Sequence, residues 1–399
     1  MDRNELVEKI REESYKYEDE MVEFMRDIIR IPSESCEEKE VVERIKEEME
    51  KVGFDEVEID PMGNILGRIG SGDRIVAFDA HIDTVGVGNL DEWDWDPFEG
   101  KMEDGIIYGR GATDQEGAMV SMVYAAKVIK DLDLYDEFSL YFIGSVQEED
   151  CDGLCWQYII NEDELEPELV VVTEPTNLNI YRGHRGRMEM EVITDGVSCH
   201  GSAPHRGVNS IYKMAPIIEG IEELNENLKD DDFLGKGTIA VTHVTNETPS
   251  LCAVPNKTKI HLDRRLTAGE DKELAVKQVE EVVAEADIEA EVRILNYDTP
   301  SYTDLVYETE KYYPTWVIEE EDDIVQSAVG AFEELFDEEA TVDKWTFSTN
   351  GVSIMGRAGI PCIGFGPANE VYAHTVNDQI PVDHLLKAAA FYATYPEYL

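Results

Sequence analysis

Gly109-Arg110-Gly111-Ala112-Thr113-Asp114 brings a carboxylate out of a glycine-hinged turn immediately ahead of an apolar helix. Other groups of the same chemistry recur along the chain: His81 and Asp83 in Ala80-His81-Ile82-Asp83-Thr84, the adjacent pair Glu148-Glu149, Glu174, and His374. Two imidazoles and several carboxylates form a nitrogen and oxygen ligand set. Such a set suits zinc, and also cobalt or manganese, and argues against copper or iron–sulfur chemistry. Without a redox ligand pattern, hydrolysis is the natural use. A carboxylate between two metals about 3.5–4 Å apart can bridge them, while the metals lower the pKa of a shared water and polarise a scissile carbonyl. A further carboxylate outside the coordination shell can take the proton from that water and pass it to the leaving amine. Consecutive glutamates suit this division, one holding metal and its neighbour holding water.

These groups must be positioned by something, and the runs ahead of them read as buried strands. Ile75 to Ala80 leads to His81, Ser139 to Val146 leads to Glu148-Glu149, Leu169 to Thr173 leads to Glu174, and Ile360 to Gly366 precedes His374. In open α/β sheets, ligands bind in the crevice outside the carboxyl ends of the strands. Five segments, the Asp114 turn included, therefore converge on one place. An acidic chain generates neighbouring acids by chance, and a lone His81 or His374 would as readily be structural. Position at strand ends is what separates this set from that background.

The first stretch, Asn4 to Ile31, has helical spacing and stops at Pro32. A second helix is expected over Glu37 to Val52, and another over Gly117 to Ile129 after Asp114. This alternation is an α/β pattern. It changes near Gly183. From Arg187 the chain reads strand (187–194), helix (208–227), strand (238–244), strand (257–264), helix (269–286) and strand (289–295), the order of a ferredoxin-like unit. A helix over Asp323 to Leu335 and the strand before His374 then resume the first pattern. The expected architecture is α/β: a mixed-sheet catalytic domain over 1–183 and 299–399, with an inserted α+β unit over 184–298.

Composition bounds the partners. The 399 residues include 34 basic and 88 acidic side chains, giving a formal net charge of -54, with the acids spread along the whole chain. Such a surface repels nucleic acid and anionic membranes and favours solubility. Adaptation to a high-salt cytoplasm is the expectation, with an ordinary acidic cytosolic protein as the alternative. The N-terminus has no basic and apolar leader pattern, and no apolar run is long enough to span a bilayer, so a soluble cytoplasmic protein is expected. Six scattered cysteines are expected to be reduced thiols. Cys151 and Cys155 lack the second pair that a zinc knuckle needs.

His81-Ile82-Asp83-Thr84-Val85, Gly109 to Asp114, Gln147-Glu148-Glu149, Thr173-Glu174-Pro175 and Ala373-His374-Thr375 closely resemble the M20 family of metallopeptidases. That family includes acetylornithine deacetylase, succinyl-diaminopimelate desuccinylase and glutamate carboxypeptidase. Within it, Gln147 to Trp156 and Arg182 to Arg187 look like the branch called selenium-metabolism-linked hydrolases. The resemblance implies a zinc-peptidase-like catalytic domain with an inserted lid and dimerisation domain. It implies that His81, Asp114 and Glu174 hold one divalent metal, most simply zinc, and that Asp114, Glu149 and His374 hold a second. Glu148 would be the general base, and Asp83 would orient the His81 ring. His200, in Ser198-Cys199-His200-Gly201, would approach the reacting carbonyl from the lid of a partner subunit in a homodimer. Arg265 would meet a substrate carboxylate, and the bond between Asp114 and Gln115 would be cis. The chain departs from the family's frequent residues in having Cys252 for Asn and Asp378 for Glu.

The function implied is hydrolysis of a C–N amide bond in a small N-acyl amino acid that carries a carboxylate. A metallo-carboxypeptidase or dipeptidase is the alternative. A non-catalytic metal-dependent binding protein would show a lost base or ligand, and all six expected positions are filled.

Overall fold

The computed structural model describes residues 3–399. Its larger sheet has eight strands. Across the sheet they run Glu56–Ile59, Ile65–Ile69, Phe138–Ser145, Arg74–His81, Leu169–Val172, Cys362–Gly364, Ile180–Tyr181 and Val342–Asp343. Four neighbours in the middle, from Phe138–Ser145 to Cys362–Gly364, are parallel. Their sequences are near-continuous aliphatic and aromatic runs, as strands covered on both faces require. Parallel pairing puts the four carboxyl ends along one edge. The first two strands pair antiparallel, which makes the sheet mixed.

Helices Glu116–Asp131 and Val382–Thr394 pack against one another, and the first of them also packs on strand Arg74–His81. Glu116–Asp131 is buried along almost its whole length, so its composition is apolar all round. Helix Lys39–Val52 ends at Gly53, whose φ of 96° is the left-handed cap that glycine adopts freely. The expected single helix over Asn4 to Ile31 is instead two, Arg3–Ser14 and Glu18–Ile29, joined by a 3₁₀ turn at Tyr15–Tyr17. At the break, the Ser14 hydroxyl donates to the Ile10 carbonyl at 2.8 Å, a local bond that competes with the helix ladder.

A second core gathers Met188, Met190, Val192, Ile217, Ile260, Leu262 and Val279, apart from the main cluster. It lies between two helices, Ser210–Asn227 and Lys272–Glu285, and a sheet ordered Thr238–Glu247, Lys257–Leu266, Gly186–Asp195, Glu291–Ile294. All its pairings are antiparallel. Both helices start later than their apolar pattern because a polar residue caps them. The Asn209 side chain accepts from the Ile211 and Tyr212 amides, and that of Asp271 accepts from Leu274. All six cysteines are free. Among the described residues, no helix is long and apolar enough to cross a membrane.

Candidate active site

The carboxyl edge of the four parallel strands holds a cavity of about 320 Å³. His81, Asp114, Glu148, Glu149, Glu174 and His374 all line it. His81 terminates its strand, and its Nε2 lies 2.9 Å from Asp114 Oδ1, 3.5 Å from Glu174 Oε1 and 4.0 Å from Glu148 Oε2. The other Asp114 oxygen lies 3.2 Å from His374 Nε2, which is 2.9 Å from Glu149 Oε1. Asp114 thus stands between the two histidines, one oxygen toward each.

Local structure explains how Asp114 gets there. Gly111 sits at φ 87°, where a Cβ would meet the Glu116 carboxyl at 2.7 Å, so both conformation and space require glycine. The Asp378 carboxylate accepts from the Arg110 guanidinium at 3.0 Å and from the amides of Gly111 and Thr113 at 2.9 and 2.7 Å, clamping the turn from the far end of the chain. The Asp114–Gln115 peptide is cis, as the resemblance implied.

Asp83 approaches His81 through both its backbone and its side chain. Its backbone carbonyl, at 2.9 Å, accepts from His81 Nδ1 and so holds the ring with Nε2 toward Asp114. The Asp83 carboxylate is 3.5 Å from that ring nitrogen. It also accepts from the backbone amides of Glu148 and Glu149, at 3.1 and 3.0 Å, and from the Ser35 hydroxyl at 2.6 Å. One carboxylate therefore sets the loop that aims both glutamates.

The electrostatics are those of a site built for cations. Burial, with neighbouring carboxylates, pushes the Glu148 and Glu174 carboxyls well above their usual range and that of Glu149 up to about 7. Burial lowers the basicity of His81, yet Glu174, Asp114 and Asp83 hold it well above its ordinary value. Bonds to Asp114 and Glu149 raise His374 to about 10. Against burial, the two histidines hold Asp114 below its usual range. Glu148 Oε1 and Glu174 Oε2 are buried without a hydrogen-bond partner. Orphaned carboxylate oxygens in a dry site are costly, and a coordinated cation removes that cost. Ligand atoms of His81, Glu148 and Glu174, and of His81, Asp114 and Glu149, lie within 4.8 Å of one another, so these residues could hold metal. The donor set fits the divalent ions expected from the sequence.

Arg265 lines the cavity and His200 does not. His200 is exposed, its Nδ1 accepting from the Ser202 amide at 3.1 Å. Asp152, Arg187, Phe347, Ser348, Glu370 and Ala373 complete the wall. Asp152 and Arg187 fall inside motifs that the sequence singled out, but nothing in their spacing said that they would meet; they bond at 3.0 Å.

A curated relative from Escherichia coli K12, the uncharacterized protein YgeY, is 56% identical over 396 residues, covering 99% of this chain and 98% of its own. A probable succinyl-diaminopimelate desuccinylase of Staphylococcus epidermidis RP62A is 23% identical, covering 92% of this chain and 95% of its own. Among solved structures, YXEP of Bacillus subtilis, described as a dinuclear metal binding peptidase from the M20 family, matches with a TM-score of 0.70 at 14% identity, covering 96% of this chain and 98% of that one. The family model for peptidases M20/M25/M40 matches residues 77–398, the whole span from the His81 strand to the C-terminal helix. The chain belongs to that peptidase family.

Proposed function

We propose that the protein is a two-metal hydrolase that cleaves the amide bond of a small N-acyl amino acid bearing a free carboxylate. The observation that carries this reading is Asp114, with one oxygen toward His81 and the other toward His374, among buried carboxylates that lack partners. His81, Asp114 and Glu174 would hold one ion and Asp114, Glu149 and His374 the other, with zinc favoured and cobalt or manganese as substitutes. When bound, the ions would polarise the amide carbonyl and make the attacking water more acidic. Glu148 takes a proton from that water and gives it to the leaving nitrogen as the C–N bond breaks, releasing a carboxylate and an amine. Asp83 fixes the backbone that carries both glutamates by accepting from their amides. Arg265 receives the substrate carboxylate.

Residues 184–298 serve as the lid in this reading, and His200 reaches the reacting carbonyl of a second copy. Two observations support it: His200 is exposed and outside its own chain's cavity, and strand Thr238–Glu247 is an edge strand exposed over most of its length. Tyr212, Val244 and Leu251 are exposed on the same unit. An unprotected edge with apolar neighbours is a ready surface for strand pairing. The dispersed acidic surface supports a cytoplasm rich in salt as the working environment.

The test is metal analysis combined with turnover on N-acetyl-ornithine, N-succinyl-diaminopimelate and a dipeptide panel, in dilute buffer and in molar KCl. Cleavage of the N-acyl amino acids by protein carrying two ions per chain is expected. Cleavage confined to dipeptides would favour the peptidase alternative, and a fully loaded protein inert toward every amide would end the hydrolase reading.

A further inference from the structure

Arg187 stands directly opposite Arg265 in the antiparallel ladder between strands Gly186–Asp195 and Lys257–Leu266. Opposed residues of such a pair lie with Cα atoms about 4.5–5.5 Å apart and present their side chains on one face. Their strand neighbours Met188, Leu262 and Leu266 point the other way, into the second core, so strand period alone fixes the face that both guanidiniums share. Both line the cavity beside Asp114 and Glu148. Like charges placed opposite one another in a sheet repel, so the pair persists only because anions compensate it.

The compensation differs on the two sides. Arg187 donates at 3.0 Å to Asp152, whose other oxygen accepts from the Ser348 hydroxyl, and the guanidinium lies 4.5 Å from the centre of the Tyr313 ring. Asp152 is 8% exposed, so this pair is locked. Arg187 Nε is nevertheless buried and unpartnered. Arg265 bonds to Asp263, two residues earlier on its own strand, at 2.8 and 3.2 Å. That pair is 33% and 27% exposed, so Asp263 can return to water when another anion arrives.

We propose that Arg187 and Arg265 together hold a single substrate carboxylate, Arg187 as the fixed half and Arg265 as the half that exchanges Asp263 for substrate. The proposal deepens the reading of this cavity as the substrate site of an amide hydrolase and rests on it. It narrows the substrate to a compact amide whose free carboxylate lies within one small cavity's length of the scissile bond. Phe347 and Ala373 are the apolar members of the wall that this chain supplies.

Calorimetric titration of the metal-loaded full-length protein tests this without turnover. The probes are malonate, succinate, glutarate and adipate, with acetate as a reference that can reach either the metals or the arginines but cannot span both. One dicarboxylate should bind more tightly than acetate. Arg187→Gln and Arg265→Gln should each weaken it about 10–100-fold, the usual range for a charge-assisted hydrogen bond. Asp152→Asn, which releases Arg187 from its internal partner, should strengthen dicarboxylate binding and keeps the experiment decisive if Arg187→Gln fails to fold. An inactive protein that still shows this pattern would refute amide hydrolysis and leave the arginine pair standing. Dicarboxylate affinity indifferent to Arg187→Gln, or to Asp152→Asn where Arg187→Gln does not fold, would overturn the pair, as would a dicarboxylate series no tighter than acetate.

Discussion

His81 and His184 are both shut off from solvent, and they are opposite kinds of histidine. His184 is satisfied by neutral groups. Its Nδ1 donates to the Arg185 carbonyl at 2.8 Å, and its Nε2 accepts from the Trp316 indole at 2.7 Å and from the Thr349 amide at 3.1 Å. Burial pushes it down to about 4, so it stays neutral and holds three segments together. His81 faces Asp114, Glu174 and Glu148 and is held well above its ordinary value despite equal burial. Burial makes a histidine structural when its partners are neutral and complete. It makes a candidate metal ligand when the partners are carboxylates left unbalanced.

The strongest way to break this contrast is at Asp114. Asp114→Ala should abolish binding of both ions, because one side chain serves both histidines, and should remove activity with them. Metal analysis showing one ion retained would mean that Asp114 does not bridge. His200 supplies the next test, being a third kind of histidine, exposed and away from any carboxylate cluster. His200→Ala should leave metal content unchanged and lower turnover about 10²–10³-fold, the usual cost of one donor to a developing oxyanion. An unaltered rate would remove it from the reaction.

A smaller effect sharpens the other side of the contrast. The folded-state pKa of His184 lies below the ordinary value of 6.5, so its contribution to stability is complete above pH 6.5 and is lost as the pH falls toward 4. Over that window the loss is on the order of 3 kcal/mol. His184→Gln retains an acceptor for Trp316 and Thr349 but has nothing to titrate. Denaturation of metal-free protein between pH 7.5 and 4.5 should therefore show a shallower fall in stability for the variant. Parallel curves would mean that His184 takes up its proton over the same pH range in the folded and the unfolded chain.

Asp114 was legible from its glycine-hinged turn, whereas Glu148 and Glu174 were legible because each follows an apolar run, and a parallel sheet must gather such ends on one edge. The α–β–β–α order after Gly183 was legible for the same reason, since period-2 and period-3.6 patterns alternate cleanly there. What escaped lies in contacts between distant segments. Asp83 was expected beside the His81 ring, but no pattern in the sequence said that its carboxylate would also accept from the Glu148 and Glu149 amides. Asp378 looked like a conservative exchange, yet it clamps the Gly111 turn. Arg187, on a strand of the second sheet, and Asp152, just after Glu148-Glu149, come together through a contact between distant segments that no spacing announces. The break after Ser14 falls in the gap between the aliphatic positions Ile10 and Met21, where the helical pattern has no such member to carry it through.

The central claim is that Glu148 moves the proton while its neighbour Glu149 holds metal. Geometry alone admits either, since Glu148 also lies within ligand range of His81 and Glu174. Metal stoichiometry and single-turnover rate measured together on Glu148→Gln decide it. The expected result is two ions per chain, as in the wild type, with the rate lowered by about 10²–10⁴-fold or more. Loss of an ion along with activity would contradict the assignment and make Glu148 a ligand.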